Sequence, residues 1–568
     1  MLFLVVLLSV VAFQVKALRA QEVYTNSQLP WHPAVLDAQG KLLAWHHPEK
    51  NLGYDQFVRL AWDFLEHKVP IDAKTGVKVY LTSSIYDGKT LQGTGWRNNP
   101  ASTFAHFVDF LLSWYPYSGD EEAIGVVRGM LDYQLAHGTT PMDWKWPGVP
   151  IPTACGGDKE YGRCFRITPV DYVGGIETDK LGELGLAYIQ FYEMTGERKY
   201  LDAGLQCAKV LAENVRPGDA LNSPWPFRVD ARTGSVFAGE QYGGMVVASV
   251  RLFEELTRLG LGDTASFKKA RDLAWDWIQK HPLNRTSQAW DNWSGYYEDD
   301  PTDTIKTSDM NPMMTSYYLL THDDPSVVNE QWEIHVGRLI DRSRLLLGRG
   351  PFFGAWGIDE GVRPDGGVIG AWGNPALLPP GGELLGTYGR GCCSRVGLSC
   401  RSAQWGAINA IFFEKTGDGH ARENAFRSLN YATYFAASDG KISCCGRGSG
   451  GDYWFEDGYA DAGRSFMWAM GAVPEFAPIG QDHLLRSSSV VQKVSYGNRK
   501  VEYRTFDNAG AEVLRLSFKP VRVTAQGTAL AERNDLKEEG YTVRALPDGD
   551  YIVRLRRVKS KEARISGD

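Results

Sequence analysis

A pattern of paired helices recurs in the middle of the chain, and it constrains the fold more than any other feature. An apolar helix end, a Thr-Gly turn, an acidic residue and a second helix follow one another in 191–203 and again in 412–425. Glycine supplies the left-handed residue that ends a helix, and an acid after it favours the next helix N-terminus. The pattern predicts antiparallel helices joined by short turns.

Weaker copies of this pattern occur at 114–121, 256–270 and 320–347. Their spacing leaves room for five or six helical hairpins between Tyr54 and Phe476. Repeated hairpins bury their faces on one another, and they either stack openly or close into a ring. Long aromatic-rich insertions between the helices favour a closed toroid whose loops crowd one mouth.

The tail of the chain has a different period. Apolar and polar residues alternate in 490–496, 500–506 and 512–518, and again in 541–544 and 551–555. Alternation of this kind predicts half-buried antiparallel strands joined by turns. We therefore expect a small β-sandwich at 487–568. The rest of the chain is then divided into a signal peptide at 1–20, an N-terminal extension at 21–53 and a toroid at 54–486.

The hairpin turns carry a family resemblance. The turns Tyr-Glu-Met-Thr-Gly-Glu at 192–197 and Phe-Glu-Lys-Thr-Gly-Asp at 413–418, in a Trp-rich chain with a C-terminal β domain, resemble the six-hairpin (α/α)6-toroid superfamily. That superfamily includes unsaturated glucuronyl and rhamnogalacturonyl hydrolases, and similar toroids serve polysaccharide lyases and sugar epimerases. The likeness covers roughly 54–480 and is architectural. It implies a mainly α fold, an (α/α)6 toroid with an antiparallel β-sandwich, and a carbohydrate substrate.

Composition narrows the class of protein further. The chain has 568 residues, of which 43% are hydrophobic, and it contains 18 Trp, 26 Tyr and 24 Phe. These values exclude a disordered, collagenous or coiled-coil chain. A formal net charge of −7 argues against nucleic acid as a partner, because proteins that bind a duplex are usually basic.

The first twenty residues predict export. Leu2 to Ala12 is an almost unbroken apolar run, and Ala20 is followed by the polar Gln21. This arrangement is typical of a secretory signal peptide cleaved after Ala20, and the alternative is a buried N-terminal helix. The run is shorter than the ~20 apolar residues of a transmembrane helix. We expect a secreted or periplasmic protein with no membrane contact after cleavage.

Eight cysteines agree with export without proving it. Cys155 and Cys164 bracket a Gly-rich loop and form a plausible local disulfide, and the pairs at 392–393 and 444–445 could cross-link two loops. Cys207 lies on an apolar helical face, where a buried thiol is expected. A thiolate metal site is the alternative, but the spacings do not repeat a zinc-ribbon pattern. We predict no metal and no organic cofactor.

Two acidic segments flank predicted helices. In 171–183, a helix is expected to begin with Thr178 or Asp179 as its N-cap. Asp171 and Glu177 lie before that position, so helix capping explains them less well than it explains Asp179. Glu183 lies within an apolar helix and is therefore either functional or paired with a cation. In 453–461, Asp457 follows aromatic residues and could be a second carboxylate or a simple cap.

A third segment, 290–311, combines aromatic residues with clustered carboxylates, including Glu298 and Asp299. Repulsion between neighbouring carboxylates raises the pKa of at least one of them and so provides a proton donor near neutral pH. The alternative is a solvated acidic loop or a Ca²⁺ loop.

Aromatic and cationic side chains near these acids suit a sugar. Tryptophan rings on an irregular loop, as in 141–148, match the apolar faces of sugar rings, although core packing is an equal alternative for any single ring. Arginines in the Gly- and Cys-rich stretch 381–401 could bind a uronate carboxylate bidentately, or simply lie on the surface. The predicted substrate-binding residues are Trp144, Trp146, Tyr172, Trp293, Tyr296, Tyr297, Trp454 and Arg395.

Other chemistries lack their motifs. The chain has no His-Glu-x-x-His pair, no Gly-x-Ser-x-Gly elbow and no Walker loop. Cleavage of a glycosidic bond needs one carboxyl group as acid and a second as base or nucleophile. We therefore predict a glycoside hydrolase acting on an oligo- or polysaccharide. Its catalytic pair is drawn from Asp171, Glu177, Glu298, Asp299 and Asp457.

Two other interpretations stay open. A polysaccharide lyase or sugar epimerase on the same scaffold would abstract a proton with Tyr172, Tyr296 or Tyr297, assisted by an arginine. A non-catalytic glycan-binding protein would bind sugars without turning them over.

Overall fold

The computed structural model describes most of the chain, with gaps. The described residues are 32, 35–39, 42–93, 95–96, 99–152, 174–238, 241–283, 310–322, 331–346, 399–443 and 453–568.

Twelve α-helices occur in the described part of the chain. In order they are α1 Leu52–Asp63, α2 Pro100–Ser118, α3 Glu121–His137, α4 Thr178–Thr195, α5 Arg198–Glu213, α6 Val246–Leu259, α7 Thr264–Lys280, α8 Met310–Thr321, α9 Trp332–Leu346, α10 Ser399–Thr416, α11 Gly419–Thr433 and α12 Ala462–Ala472.

The tight turns between paired helices are those that the sequence predicts. Gly196 and Gly417 end α4 and α10 with φ of +76°, the left-handed conformation that side chains other than glycine avoid. The side chain of Asp418 then accepts a hydrogen bond from the backbone N–H of His420 and caps α11. The predicted helix–turn–helix units are confirmed.

The helices form a closed ring. Helix α2 packs on α4, α4 on α6, α6 on α8, α8 on α10, α10 on α12, and α12 returns to α2. Outside this ring, α3, α5, α7, α9 and α11 each pack on the inner helix that precedes them, and α1 packs on α12. Six inner and six outer helices make the (α/α)6 toroid, so the predicted fold class is confirmed.

Glycine permits the closest contacts between inner helices. A Cβ atom on Gly182 of α4 would lie 2.6 Å from the backbone nitrogen of Ser249 on α6. Gly463 of α12 likewise faces the ring of Phe110 on α2, which leaves no room for a side chain. These contacts bring α12, α2, α4 and α6 close together, and polar groups on them converge.

The inner helices all run in one direction. At their C-terminal ends the backbone oxygen of Tyr117 on α2 contacts His483 Nδ1 at 2.8 Å, and Glu414 on α10 pairs with Arg486. Arg258 at the end of α6 reaches Asp507 at 2.8 Å. The N-terminal ends of the inner helices therefore share the opposite end of the ring, which we call the mouth. Each long connection from an outer helix to the next inner helix ends there.

Short strands and a C-terminal β domain complete the fold. The strands are β1 Val35–Leu36, β2 Leu42–Leu43, β3 Ile85–Tyr86, β4 Gly175–Glu177, β5 Arg228–Asp230, β6 Tyr453–Trp454, β7 His483–Ser487, β8 Val491–Gly497, β9 Lys500–Thr505, β10 Gly510–Leu516, β11 Arg522–Ala525, β12 Thr528–Ala529, β13 Gly540–Ala545, β14 Tyr551–Arg557 and β15 Glu562–Ser566.

From β7 onward the strands form two antiparallel sheets, with orders β13-β14-β10-β7 and β12-β11-β15-β9-β8. The predicted antiparallel C-terminal domain is therefore confirmed, and its first strand begins at His483. This domain covers the end of the ring opposite the mouth.

The described part of the chain bears on the predictions for Cys207 and for membrane-spanning helices. Cys207 is a free thiol that is 1% exposed, as expected, and burial raises its pKa to about 12. The cysteines at 155, 164, 392–393 and 444–445 lie outside the described residues, as does the predicted signal peptide. Among the described helices, none combines the length and apolarity that crossing a membrane requires.

Candidate active site

Seven ionisable side chains converge inside the ring near the mouth. All come from the first two turns of inner helices or from the π-helical turn 455–461 before α12, and each residue is at most 9% exposed. We call this group the mouth cluster: His106, Asp179, Lys180, Glu183, Glu456, Asp461 and Arg464.

His106 on α2 is the centre of the mouth cluster. Its Nδ1 atom lies 2.9 Å from Asp461 Oδ1 and 3.2 Å from Glu456 Oε1. On the other side of the imidazole, its Nε2 atom lies 3.8 Å from Glu183 Oε1. One imidazole thus connects carboxylates from α4 and from the turn before α12.

Hydroxyl groups fix the orientation of Glu456. Thr103 Oγ1 donates a hydrogen bond to Glu456 Oε2 at 2.8 Å, and Ser102 Oγ donates to Glu456 Oε1. Both donors lie on the first turn of α2. A buried carboxylate needs such partners, because leaving it unsatisfied is costly.

Lys180 joins the two acids of α4. Its Nζ atom lies 3.0 Å from Asp179 Oδ2 and 3.5 Å from Glu183 Oε2. Arg464 plays the matching part on α12, where its Nη2 atom lies 2.7 Å from Asp461 and its Nη1 atom 3.2 Å from Asp109. Each buried acid of the mouth cluster therefore faces a buried cation or a hydroxyl donor.

The environment separates the pKa values of the two acids on α4. Burial, reinforced by Glu183 and only partly offset by Lys180, raises the pKa of Asp179 to about 6. Burial would also raise the pKa of Glu183, but Lys180 and His106 outweigh it and lower that pKa to about 2. One carboxyl therefore holds a proton at mildly acidic pH while its neighbour stays ionised, which is the arrangement that acid–base catalysis needs.

Neighbouring carboxylates favour the protonated form of both nitrogen bases beside this pair of acids. Burial and Arg464 oppose protonation of His106, but Asp461 and Glu183 raise its pKa well above the usual value. Burial also opposes the charge on Lys180, yet Asp179 and Glu183 raise its pKa well above the ordinary range. The mouth cluster thus sets four carboxyl groups against three nitrogen-bearing side chains.

A small cavity adjoins the mouth cluster on the axis of the ring. It has a volume of about 40 Å³ and is lined by His106, Glu183 and Arg464, together with Met245 at the start of α6 and Met314 of α8. Because these residues come from five of the six inner helices, the mouth cluster lies on the wall of the central hole.

Three residues of the mouth cluster have the spacing of a metal site. One ligand atom each of His106, Glu456 and Asp461 lies within 4.8 Å of the others. Arg464, however, already contacts Asp461 at 2.7 Å. Its guanidinium therefore pairs with one of the two acids that a metal ion at this position would use.

Two predicted catalytic residues lie beside the mouth cluster. Glu177 ends β4, and its Oε1 atom accepts hydrogen bonds from Arg228 Nε at 3.1 Å and Nη2 at 3.0 Å. Its charge also contributes to the raised pKa of Lys180. Asp457, 2% exposed, follows Glu456 in the π-helical turn. The structure brings both residues close to the same wall.

The predicted tryptophan platforms are more deeply placed than a sugar-stacking role suggests. Trp146 is 3% exposed and packs in the core, and its backbone N–H donates to Ala231. Trp454 is 7% exposed and lies in β6 opposite Ile85, whereas Trp144 is half-buried. The burial of Trp146 therefore agrees with core packing, the alternative to a sugar-stacking role.

The other predicted site residues lie outside the described part of the chain. They are Asp171, Tyr172, Trp293, Tyr296, Tyr297, Glu298, Asp299 and Arg395.

Sequence reasoning does not single out His106, Lys180, Asp461 or Arg464. A usable signal is present for three of them, because His106, Asp461 and Arg464 each interrupt a run of apolar or small residues, as in Phe104-Ala105-His106-Phe107. An ionisable group inside such a run is rarely buried unless it is paired. Glu183 is predicted on this ground, and the structure shows it to be both buried and paired with a cation.

Comparison with family models and with curated proteins returns no match. Among solved structures, the chain is similar to a sugar epimerase from a ruminal bacterium, with 10% identity, a TM-score of 0.49, and coverage of 74% of this chain and 98% of that one. It is also similar to a D-mannose isomerase, with 10% identity, a TM-score of 0.47, and coverage of 73% of this chain and 97% of that one. An unsaturated glucuronyl hydrolase specific for heparin has 10% identity, a TM-score of 0.42, and coverage of 74% of this chain and 96% of that one. The closed ring itself is established by contacts among this chain's own helices.

Proposed function

We propose that this chain is a carbohydrate-active enzyme, most specifically a glycoside hydrolase, with its reaction centre at the mouth. The observation that carries the proposal is the pair of buried acids on α4, whose pKa values are driven to opposite sides of the ordinary range. Glycosidic cleavage uses one protonated and one ionised carboxyl group. The aromatic residues of the sequence that precede the inner helices suit the apolar faces of a saccharide.

The roles follow from protonation states. Asp179 is the proton donor to the leaving oxygen, and Glu183 is the ionised partner. Lys180 contacts both acids and holds them together. Asp457 and Glu177, on neighbouring elements, are the alternatives to Glu183 as the ionised carboxylate.

Further catalytic and sugar-binding residues are proposed in the segments between the helices. Asp171, Glu298 and Asp299 remain proposed catalytic acids. The aromatic and arginine residues that the sequence analysis names remain proposed contacts to the sugar. Export through cleavage after Ala20 also belongs to the proposal, and it would place the enzyme where extracellular or periplasmic polysaccharides occur.

A sugar epimerase is the second candidate, and one observation favours it. His106 lies between two acids, with Nδ1 2.9 Å from Asp461 and Nε2 3.8 Å from Glu183, so the imidazole has an acid–base partner on each side. An epimerase removes a proton from one face of a sugar carbon and returns a proton to the other, and both steps use general acid–base groups of this kind.

Product analysis on a panel of oligosaccharides that differ in sugar and linkage tests the proposal. A hydrolase releases new reducing ends and incorporates oxygen from water. An epimerase yields an isomer without new reducing ends, and a lyase yields an ultraviolet-absorbing double bond.

We expect new reducing ends from the wild type and a loss of about 10²-fold or more in kcat for Glu183→Gln, the scale of a missing acid–base group. Glu213→Gln, at an exposed position at the end of α5, is the matched control and should keep full activity. Binding of a glycan without any turnover, or full turnover by Glu183→Gln, would overturn the proposal.

A further inference from the structure

A second cavity lies in the ring at the end opposite the mouth. It has a volume of about 570 Å³, and residues from all six inner helices line it together with β7, β10 and β14 of the C-terminal domain. We call it the rear chamber. Its volume falls within the ~300–1,000 Å³ that small-molecule sites occupy.

The rear chamber is lined by more cations than carboxylates, and its carboxylates are already in ion pairs. Asp109 pairs with Arg464, and Glu512 with Arg557. Arg486 and Arg554 share the carboxylate of Glu414 on α10.

Two cations of the chamber lack such a partner. Arg251 of α6 and Lys415 of α10 form no ion pair within the described part of the chain. The chamber therefore presents an excess of positive charge to any molecule inside it.

Arg251 is held in position by aromatic rings. Its guanidinium carbon lies 5.4 Å from the centroid of the Tyr317 ring on α8. Tyr317 in turn stacks on Trp468 of α12, with ring centroids 4.1 Å apart and planes 23° from parallel. A guanidinium fixed on an aromatic ring keeps its N–H groups available for bidentate hydrogen bonds to a carboxylate. The same rings supply an apolar wall beside it.

We propose that the rear chamber is a binding site for a carboxylate-bearing monosaccharide. Arg251 and Asp109 also line the small cavity beside the mouth cluster, so the two cavities adjoin at these residues. The carboxylate of the ligand pairs with Arg251, with Lys415 nearby at the rim, and the apolar face of the sugar ring lies against Tyr317 and Trp468. An inorganic anion would use the charge but not the aromatic wall, and a neutral sugar would use the wall but not the charge. This site does not depend on the reaction proposed at the mouth.

Calorimetric titration of the full chain with glucuronate, glucose and inorganic sulfate tests the site. We expect glucuronate to bind and the other two to bind at least ten-fold more weakly. Arg251→Met should weaken glucuronate binding ten-fold or more, whereas Arg198→Met, which removes an exposed arginine of α5 paired with Asp202, should leave it unchanged.

A second variant covers the case in which Arg251→Met fails to fold. Ser113→Phe fills the chamber from α2 without changing its charge, and it should also abolish binding. The proposal is overturned if the wild type does not bind glucuronate, if both chamber variants bind it as the wild type does, or if sulfate binds equally well.

Discussion

At the scale of residues, the mouth cluster shows how pairing makes buried charge tolerable. His106 is 4% exposed, yet its pKa is raised because Asp461 and Glu183 lie on either side of it. Moving charges out of water is costly, and removing one partner of a buried pair leaves the other uncompensated. The same pairing that sets the pKa values therefore also stabilises the fold.

Replacement of His106 by Gln tests this coupling through pH. The pKa of His106 in the folded state is raised above its unfolded value of about 6.5, so its contribution to stability is full below that pH and declines as pH rises toward the folded-state pKa. We expect His106→Gln to lose about 3–5 kcal/mol of unfolding free energy near pH ~6, with a smaller loss at high pH.

Denaturant titration at several pH values measures the effect, with the exposed His420→Gln on α11 as the control. A loss that is independent of pH, or equal in both variants, would show that His106 is not protonated through its carboxylate partners.

At the scale of elements, close helix packing brings the polar groups together. Gly182 lets α4 approach the backbone of α6 at Ser249, and Glu183 is the next residue along α4. In contrast, a Cβ atom on Gly125, at the exposed face of α3, would meet no other atom within 4 Å. The two glycines therefore have different roles, although both lie inside helices.

Alanine at these two glycines should have opposite effects. Gly182→Ala forces α4 and α6 apart and should lower the free energy of unfolding by about 1–3 kcal/mol, the usual cost of overpacking. Gly125→Ala should raise it by about 0.5–1 kcal/mol, because alanine is the better helix former. Thermal or denaturant unfolding of both variants measures these changes in the free energy of unfolding. A stabilised Gly182→Ala would contradict the close packing of α4 on α6.

The helices and strands are predictable from the sequence because their signals are local. The turn glycines, the acidic caps and the change to period two at the tail each depend on a few neighbouring residues. The mouth cluster is not predictable in full, because its members depend on distant partners: Glu456, for example, accepts a hydrogen bond from Ser102, which is 354 positions away in the sequence. Which buried acid meets which cation depends on ring closure, and no local pattern encodes that.

At the scale of the whole molecule, Arg515 connects the ring to the β domain. Its side chain is fully buried and pairs with Asp550 at 2.9 Å and Asp548 at 2.6 Å. It also donates to the backbone oxygen of Ala477, in the segment that follows α12, at 2.7 Å. One guanidinium thus holds the junction between the two parts of the chain.

Arg515→Met should weaken the junction strongly. The fully buried Arg515 leaves, and Asp550 loses its partner in a buried setting while Asp548 loses its partner at the surface. We therefore expect a loss of about 3–5 kcal/mol and, in calorimetry, separation of the unfolding of the ring from that of the β domain. Arg504→Met, in the same domain but 54% exposed, should change the stability by less than about 1 kcal/mol. A single unshifted transition for Arg515→Met would contradict this role.

The dependence of kcat/KM on pH for wild type and Asp179→Asn, on a substrate found by the product screen, tests the central claim most directly. If Asp179 is the proton donor, wild-type activity falls as pH rises through its raised pKa of about 6. Asp179→Asn then loses about 10²-fold or more in kcat/KM, together with that limb of the profile. An Asp179→Asn variant with wild-type activity and an unchanged profile would contradict the account.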